Sequence, residues 1–327
     1  MPHILLTAAF PAPLVDKIRA VSDQLKVEQI QLPDGRWPAN KTTQAEILYA
    51  VTDVPRPEQA PQLRWIQLHS AGVEHLRDTA VWHTDILITS ASGIHAPNMA
   101  QYALTQMLAW AHRVPRWFEH KRTKTWPSPR WDAFVPDELR GQTLGIVGYG
   151  SIGRELARLA KAFGMHVLAS KRDARHPEDT GYTISGTGDP RGELPDRIYP
   201  GEALKSMLAQ CDYVVITLPL TPQTHHLFDE TVFREMKPTA FLVNVGRGGV
   251  VDEKALVKAL NKGWIAGAGL DVFETEPLPD TSPLWNLPNV ILTPHVSGFT
   301  PHYDARAVDL FAENLRRYLA GALSPVI

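Results

Sequence analysis

The sequence contains almost no cysteine, and this excludes several classes of protein. Cys211 is the only cysteine among 327 residues, so neither an intrachain disulfide framework nor a cysteine-rich metal site can form. The 13 histidines show no spacing with acidic residues that suits a metal ion, so we expect no bound metal. A chain without disulfides fits a reducing compartment, and we expect a cytoplasmic protein.

Net charge, long apolar runs and a targeting signal are also missing. The chain has 33 Lys and Arg residues and 35 Asp and Glu residues, so its formal charge of -2 gives no electrostatic reason to expect nucleic acid or a membrane as partner. No apolar run approaches the roughly 20 residues that span a bilayer. The first residues lack the basic region of a signal peptide. With 44% hydrophobic and 21% charged residues, the composition is that of a globular protein.

The sequence does contain two series of short apolar segments that alternate with helical patterns. This alternation predicts an α/β protein with two open parallel sheets, Rossmann-like or flavodoxin-like. The expected strands cover residues 4–6, 27–32, 46–51, 63–68 and 86–89 in the first series, and 143–147, 165–169, 213–218, 240–245, 266–272 and 290–292 in the second. Apolar spacing predicts one long helix over 96–117, and the irregular stretches 123–136 and 173–200 are expected as loops.

A glycine-rich segment provides the strongest local signal. Gly148, Gly150 and Gly153 follow an apolar strand and lead into a helical pattern, with Ser151 and Ile152 between the last two. In this context the glycines let the backbone approach a pyrophosphate, which sits at the positive end of the helix. A tight turn with only a packing role is the alternative. The sequence therefore predicts a dinucleotide site.

The end of the next strand indicates which dinucleotide is bound. NAD-binding proteins carry an acid about 20 residues after the glycines, whereas this chain has Ser170 followed by Lys171 and Arg172, with Arg175 close behind. A hydroxyl and cations suit the 2′-phosphate of NADPH. We favour NADPH, although NAD stays possible because Asp173 lies in the same segment.

Three further segments each place one polar side chain after a strand. These side chains are Arg247, Glu276 and His295. Because the carboxyl ends of parallel strands face the ligand crevice, we expect the three to converge. An arginine can bind a carboxylate, and a histidine can donate a proton to a carbonyl oxygen. The acid would favour the imidazolium and fix its tautomer. Each residue alone is equally compatible with a structural role.

Together, residues 148–153, 218–224, 244–252, 271–277 and 293–298 closely resemble the D-isomer-specific 2-hydroxyacid dehydrogenases. The two cations after Ser170 make the chain similar to the NADPH-preferring glyoxylate/hydroxypyruvate reductases of that family. The resemblance implies that Arg247, Glu276 and His295 are the catalytic triad. It also implies hydride transfer from NADPH to a small 2-keto acid, glyoxylate or hydroxypyruvate being the leading candidates, which yields a D-2-hydroxy acid.

The resemblance implies further contacts. The backbone amides of Ala71 and Gly72 would bind the substrate carboxylate together with Arg247 and His295. It implies a homodimer in which residues 113–136 take part, while Trp126 and Trp131 either pack at that contact or shape a substrate pocket. The remaining cofactor contacts that it implies are Leu218, Pro219, Thr224, Val245, Gly246, Asp271, His295 and Gly298.

The length of the chain and the order of its motifs predict two domains. We expect a central dinucleotide-binding domain over 99–295 and a discontinuous substrate domain made of 1–98 and 296–327. Two other functions stay open at this point. One is a dehydrogenase for another D-2-hydroxy acid or a phosphorylated analogue, and the other is a dinucleotide-sensing, corepressor-like binding protein.

Overall fold

The computed structural model describes residues 1–32 and 35–324. The chain divides into two compact units, Met1–Ile94 with Thr300–Ile327 and His95–Phe299. We call them the terminal unit and the central unit. The sequence-based division, with cuts after 98 and 295, has the same discontinuous form. What each unit binds stays a prediction, and the last three residues of the expected substrate domain lie outside the described residues.

Short strands and helices alternate through both units. Within the described residues the strands are β1 (His3–Leu6), β2 (Lys26–Gln29), β3 (Ile47–Ala50), β4 (Trp65–Leu68), β5 (Leu87–Thr89), β6 (Thr143–Val147), β7 (His166–Ser170), β8 (Arg197–Tyr199), β9 (Tyr213–Ile216), β10 (Phe241–Asn244), β11 (Gly267–Leu270) and β12 (Val290–Leu292). The α-helices are α1 (Ala12–Arg19), α2 (Ala39–Thr42), α3 (Ala96–Ala111), α4 (Val114–Thr123), α5 (Arg130–Phe134), α6 (Ser151–Ala162), α7 (Leu204–Leu208), α8 (Glu230–Phe233), α9 (Glu253–Lys262) and α10 (Tyr303–Leu319).

The terminal unit is built on a parallel sheet with the strand order β2-β1-β3-β4-β5, which is the flavodoxin-like order. Strands β1, β3 and β4 are buried at every residue. Parallel sheets are covered by helices on both faces, and this explains why these strands are mostly apolar and do not alternate between apolar and polar residues. Helix α10 returns to this unit and packs against α1.

The central unit is built on a second parallel sheet, with the order β12-β11-β10-β9-β6-β7-β8. Counted from β6, this is the doubly wound Rossmann order with one added strand. The direction of winding reverses between β6 and β9, and ligands of such sheets bind beyond the carboxyl ends of the strands at that point. The predicted fold class, α/β with two open parallel sheets, is therefore confirmed.

Helix α6, which follows the glycine turn, packs on α3 through small side chains. Ala100 and Ala103 of α3 and Ala157 and Ala160 of α6 are all fully buried in one core cluster with β6 and β9. Because alanine side chains let helix backbones approach closely, this packing holds α6 against α3 and the sheet. The glycine turn is thereby held on a rigid support.

Several predicted boundaries were wrong. The helix expected over 96–117 ends at Ala111, because Arg113 has a left-handed φ of 56° and α4 begins with a proline in its first turn. The stretch 123–136, expected as a loop, contains α5. The stretch 173–200, also expected as a loop, contains β8, which pairs with β7 through three residues only. A strand this short has too few residues to show an apolar period.

Candidate active site

The glycine turn joins β6 to α6. Gly148 has a φ of 105°, which only glycine adopts readily, and Gly150 is the N-cap residue of α6. The hydroxyl of Thr217, just after β9, donates a hydrogen bond of 2.7 Å to the carbonyl oxygen of Gly148. The turn therefore lies at the winding reversal, with the first amides of α6 available to an anion.

The two later glycines differ in what surrounds them. A Cβ atom on Gly153 would lie 2.5 Å from the carbonyl oxygen of Gly148 and 2.8 Å from the side chain of Ile146, so the helix needs glycine there to pack on the strand. A Cβ atom on Gly150 would meet nothing within 4 Å. The open space beside Gly150 and the close packing at Gly153 fit a pyrophosphate-binding turn. Ser151 and Ile152 are half-buried beside it.

Other strand ends pack against this turn. A Cβ atom on Gly148 would lie 3.0 Å from the side chain of Leu218, and one on Gly246 would lie 2.6 Å from the backbone oxygen of Leu218. Val245 is buried, and the Thr224 hydroxyl donates to the Pro219 carbonyl over 2.7 Å, which closes the loop after β9. Of the predicted cofactor contacts, Leu218 therefore lies against the glycine turn, and Gly246 packs against Leu218.

The cationic segment after β7 is arranged differently from the prediction. The Lys171 ammonium donates hydrogen bonds to two backbone carbonyls, those of His176 and Glu178, the latter over 3.1 Å. Arg172 is exposed and has no hydrogen bond or ion pair to any residue that the structure describes. Arg175 is 90% exposed beside Asp173, and Ser170 is buried. Arg172 is therefore the cation most available to an anionic ligand.

Glu276 and His295 form a direct pair. The Glu276 Oε2 atom lies 2.7 Å from His295 Nδ1, while Glu276 Oε1 accepts a hydrogen bond of 3.0 Å from the Phe273 amide. A carboxylate only accepts hydrogen bonds, so the proton of the neutral imidazole sits on Nδ1. The Nε2 atom has no partner among the described residues and is the nitrogen that can exchange a proton with a ligand.

Asp271 holds the loop that carries this histidine. Its buried carboxylate accepts hydrogen bonds from the Thr293 hydroxyl over 2.8 Å, from the Val296 amide over 3.0 Å and from the Ser297 amide over 2.9 Å. The backbone oxygen of Asp271 accepts from the His295 amide over 2.8 Å. His295 itself has a left-handed φ of 53°. Such strain persists only where the surroundings impose it, and it is common at active sites.

Arg247 follows β10, two strands from β12 in the sheet. The Asn244 side chain accepts a hydrogen bond from the Gly246 amide and donates one to the Arg247 carbonyl, both over 3.1 Å, which folds the turn. The Arg247 guanidinium donates to the Gly246 carbonyl over 2.8 Å. Because the sheet is parallel, the residues after β6, β10, β11 and β12 all lie at its carboxyl edge. Gly298, in the loop beyond, lies next to His95.

The loop predicted to bind a carboxylate belongs to the terminal unit. The Ser70 hydroxyl donates to the Gly72 carbonyl over 2.7 Å, and Ala71 is exposed. The Nδ1 atom of His69, just before them, shares a hydrogen bond of 2.8 Å with the buried Tyr49 hydroxyl. The His69 carbonyl accepts one, also of 2.8 Å, from the Tyr303 hydroxyl on α10. The loop is thus tied to two elements of its own unit.

The sequence reasoning missed a buried polar group next to the glycine turn. Arg154 and Glu155, the residues that follow Gly153, are 2% and 1% exposed. Arg154 lies three residues before Ala157, on the apolar face of α6. An arginine on the apolar face of a helix indicates that its guanidinium has a buried hydrogen-bond partner.

A Rossmann sheet with a glycine turn, and an arginine and a histidine–glutamate pair at the same sheet edge, define a dinucleotide-dependent oxidoreductase. Residues 104–297 match the family model described as the D-isomer specific 2-hydroxyacid dehydrogenase, NAD binding domain. The chain belongs to the D-isomer-specific 2-hydroxyacid dehydrogenase family, as its motifs predicted. It is an NAD(P)-dependent oxidoreductase of small 2-hydroxy or 2-keto acids.

Relatives and solved structures agree with this family. A glyoxylate reductase of Thermofilum pendens is 33% identical over 333 residues, which cover 100% of this chain and 94% of that relative. A D-isomer-specific 2-hydroxyacid dehydrogenase family protein from Aeromonas salmonicida has a TM-score of 0.80 and 33% identity, with 99% of this chain and 97% of that one covered. The NADPH-dependent glyoxylate/hydroxypyruvate reductase of Sinorhizobium meliloti, solved with citrate, has a TM-score of 0.74 and 27% identity, with 100% and 98% covered.

The described residues contain neither a membrane-spanning helix nor a metal-binding cluster. No described helix is both long and apolar enough to cross a membrane. No group of three or more His, Cys, Asp or Glu side chains in the described part of the chain could hold a metal ion.

Proposed function

We propose that this protein reduces glyoxylate or hydroxypyruvate to the D-2-hydroxy acid and prefers NADPH over NADH. The observation that carries the chemistry is the 2.7 Å pair between Glu276 and His295, which leaves the Nε2 atom of the histidine for a ligand. The similarity to a glyoxylate reductase and to an NADPH-dependent glyoxylate/hydroxypyruvate reductase supports the choice of substrate. The cytoplasmic location expected from the sequence stays a prediction.

In this proposal each residue of the predicted triad has one task. The planar Arg247 guanidinium binds the substrate carboxylate and polarises the ketone, which a lysine does with less directional control. Protonated His295 donates its Nε2 proton to the carbonyl oxygen, and Glu276 stabilises the imidazolium and fixes the ring orientation. The carboxylate contact expected from the amides of Ala71 and Gly72 stays a prediction from the sequence. The nicotinamide, when bound, supplies the hydride.

The glycine turn and its neighbours would hold the dinucleotide. Gly148, Gly150 and Gly153 with the first amides of α6 receive the pyrophosphate, because the amides there lack partners within the helix. Other residues that we assign to the cofactor site lie around the turn or at the carboxyl edge of the sheet. They are Ser151, Ile152, Ser170, Leu218, Pro219, Thr224, Val245, Gly246, Asp271, His295 and Gly298.

The preference for NADPH depends on the cations after β7. We assign the 2′-phosphate contact chiefly to Arg172, because it is exposed and unpaired within the described residues, whereas Lys171 is engaged by two backbone carbonyls. Arg175 adds positive charge nearby. Guanidinium groups bind phosphate with two parallel hydrogen bonds, so the loss of this one side chain removes much of the selectivity.

A single kinetic matrix tests the proposal. NADPH and NADH are each paired with glyoxylate, hydroxypyruvate, pyruvate and larger 2-keto acids. We expect turnover with the two small acids and a higher kcat/KM with NADPH. Absence of NAD(P)H oxidation with every acid contradicts the enzymatic proposal and favours a dinucleotide-sensing binding protein. Turnover only with larger or phosphorylated acids moves the substrate assignment to another D-2-hydroxy acid.

We also propose that the chain forms a homodimer through residues 113–136. Four large aromatic side chains in this segment, Trp117, Phe118, Trp126 and Trp131, are between 50% and 82% exposed. Two of them line a surface concavity of about 670 Å³. Contiguous exposed aromatic groups mark interaction surfaces, and aromatic residues are enriched at the centre of protein interfaces. A second copy is therefore the partner we assign to this face.

A further inference from the structure

The 26 residues between β7 and β8 form an excursion that is held by a buried polar network. Arg154 is 2% exposed, and its guanidinium donates to the carbonyls of Asp189 and Pro177, both over 2.5 Å. Its Nε atom lies 3.4 Å from an oxygen of Asp179. Three separate points of the excursion therefore meet one side chain at the start of α6.

Tyr149 completes this network from inside the glycine turn. Its hydroxyl donates to Asp189 Oδ2 over 2.6 Å, and its ring lies 4.7 Å below the Arg154 guanidinium. The same Asp189 carboxylate accepts hydrogen bonds from the amides of Glu193 and Leu194. Burial opposes ionisation of Asp189, but the hydrogen bonds from Tyr149 and the two amides hold its pKa below the usual value.

The contact at Pro177 connects this network to the cationic segment. The carbonyl of Pro177 accepts from Arg154, while the carbonyls on either side of it, at His176 and Glu178, both accept from the Lys171 ammonium. Three consecutive carbonyls thus contact two side chains: the middle one binds Arg154 of α6, and the outer two bind Lys171, which precedes Arg172. Displacement of 176–178 would release Lys171 and shift Arg172 with it.

A purely structural role explains this arrangement poorly. A buried arginine is costly to desolvate, and well-packed apolar side chains often serve stability as well or better. A loop on the surface does not need such a group to remain soluble or folded. A side chain that binds a phosphate does need a rigid support, because selectivity between NADPH and NADH depends on its position within fractions of an ångström.

We propose that Tyr149, Arg154 and Asp189 are positioning residues that set the dinucleotide preference by fixing residues 171–178. The inference rests on the proposed preference for NADPH. Neither Tyr149 nor Asp189 touches the 2′-phosphate in this scheme. Both contact Arg154, which in turn binds the carbonyl of Pro177 and so holds residues 176–178. Their effect is therefore specific to the dinucleotide that carries the phosphate.

The mildest test is Tyr149→Phe, which removes one hydroxyl and keeps the ring under the guanidinium. Tyr213→Phe is the matched control, because Tyr213 is a buried tyrosine of the same core cluster whose hydroxyl makes no hydrogen bond to the excursion. The lost hydroxyl is one of three donors to the Asp189 carboxylate, so we expect the excursion to loosen and the KM for NADPH to rise about tenfold. The KM for NADH should rise much less than the KM for NADPH, and the ratio of the two KM values separates an effect on residues 171–178 from a general effect on the glycine turn.

Hydrogen exchange supplies a second measurement. Amides of 173–196 should exchange faster in Tyr149→Phe and in the stronger variant Asp189→Asn, while amides of the central sheet stay protected. An equal rise in KM for both dinucleotides overturns the inference, because it indicates a general structural role. Faster exchange with unchanged selectivity overturns it too, because the position of the excursion then does not matter.

Arg172→Ala measured alongside separates this inference from the proposed function. If the parent protein prefers NADPH and Arg172→Ala lowers that preference but Tyr149→Phe does not, the positioning role fails alone. If the parent protein shows no preference for NADPH, the proposed cofactor assignment fails, and the inference that rests on it fails for that separate reason.

Discussion

The Glu276 Oε2 atom lies 2.7 Å from Nδ1 of His295, and this contact fixes the orientation of the imidazole ring. The histidine backbone is held in a left-handed conformation by Asp271, so side chain and backbone are constrained by different residues. Each constraint can be removed separately, and the expected results differ.

Replacement of the histidine should remove the proton donor without disturbing the loop. We expect His295→Asn to lower kcat by about 10²- to 10⁴-fold, the usual contribution of general acid catalysis. Asparagine is the matched choice because it tolerates positive φ. NADPH binding, followed by fluorescence titration, should weaken far less than kcat falls, because His295 is only one of the residues that we assign to the cofactor site. A variant that keeps more than a tenth of parental kcat contradicts the assigned role.

Glu276→Gln should have a smaller effect of a distinct kind. The amide can still accept a hydrogen bond from the imidazole but no longer stabilises the imidazolium by charge. We expect kcat to fall less than in His295→Asn, because the proton donor itself is kept. Steady-state rates of the two variants at saturating NADPH measure this, and a Glu276→Gln protein with the parental kcat contradicts the pairing as a functional feature.

Much of this site is visible in the sequence because its signals are local. The glycine turn, the strands on either side of it and the three segments after β10, β11 and β12 are contiguous motifs, and parallel topology alone brings them to one sheet edge. The network around Arg154 is not visible in this way. Its partners at Pro177, Asp179 and Asp189 lie in a stretch without apolar period, and only the folded backbone brings those carbonyls to the helix.

The same distinction explains the wrong boundaries. Helix α3 ends because Arg113 adopts a left-handed conformation just before Pro115. The proline indicated a helix boundary, but the apolar spacing continued beyond it and led to the longer predicted helix. Strand β8 could not be read, since its three residues form a strand only by pairing with β7. The left-handed φ of His295 was equally hidden, because it is imposed by hydrogen bonds to Asp271 rather than by the residues around it.

Asp271→Asn tests the backbone constraint. One carboxylate oxygen becomes an NH2 group that cannot accept a hydrogen bond, so either the Val296 amide or the Ser297 amide loses its partner. Such a loss costs about 1–3 kcal/mol. We expect a lower thermal midpoint and a fall in kcat beyond that of the control Thr293→Val, which removes one hydroxyl from the same carboxylate. Equal effects of the two variants would contradict a specific role for the carboxylate.

The terminal unit should lose stability in weak acid through His69. Burial lowers the pKa of His69 below its usual value of 6.5, although Asp304 opposes this. As the pH falls below about 6.5, the unfolded chain binds the proton first, so the stabilising contribution is present above that pH and is lost as the pH falls through the folded-state pKa. Burial lowers the pKa of His3 in the same direction.

A comparison of the parent protein with His69→Asn isolates this contribution. The asparagine can still accept the hydrogen bond of the Tyr49 hydroxyl but does not titrate. Denaturant unfolding at pH 8 and pH 5.5 should show a smaller loss of free energy of unfolding in the variant. A loss of the same size in both proteins contradicts the assignment.

The homodimer proposal predicts which exposed aromatic side chains matter. Trp126→Ser and Trp117→Ser should shift the mass measured by light scattering from dimer toward monomer. Phe299→Ser is the control, since Phe299 is 74% exposed but lies outside residues 113–136. A parent protein that is monomeric at micromolar concentration, or variants that stay dimeric, contradicts the proposed contact.

The two later glycines of the dinucleotide turn, Gly150 and Gly153, should respond to alanine in different ways. At Gly153 the new Cβ atom would lie 2.5 Å from a backbone oxygen, so Gly153→Ala should destabilise the central unit by about 1–3 kcal/mol. At Gly150 it would meet nothing within 4 Å, so Gly150→Ala should keep its thermal midpoint. If the open space beside Gly150 is where the pyrophosphate approaches, the same methyl group should weaken NADPH binding at least about tenfold. Unchanged binding by a folded Gly150→Ala protein would place the dinucleotide elsewhere, because the backbone at that glycine then has no ligand to approach.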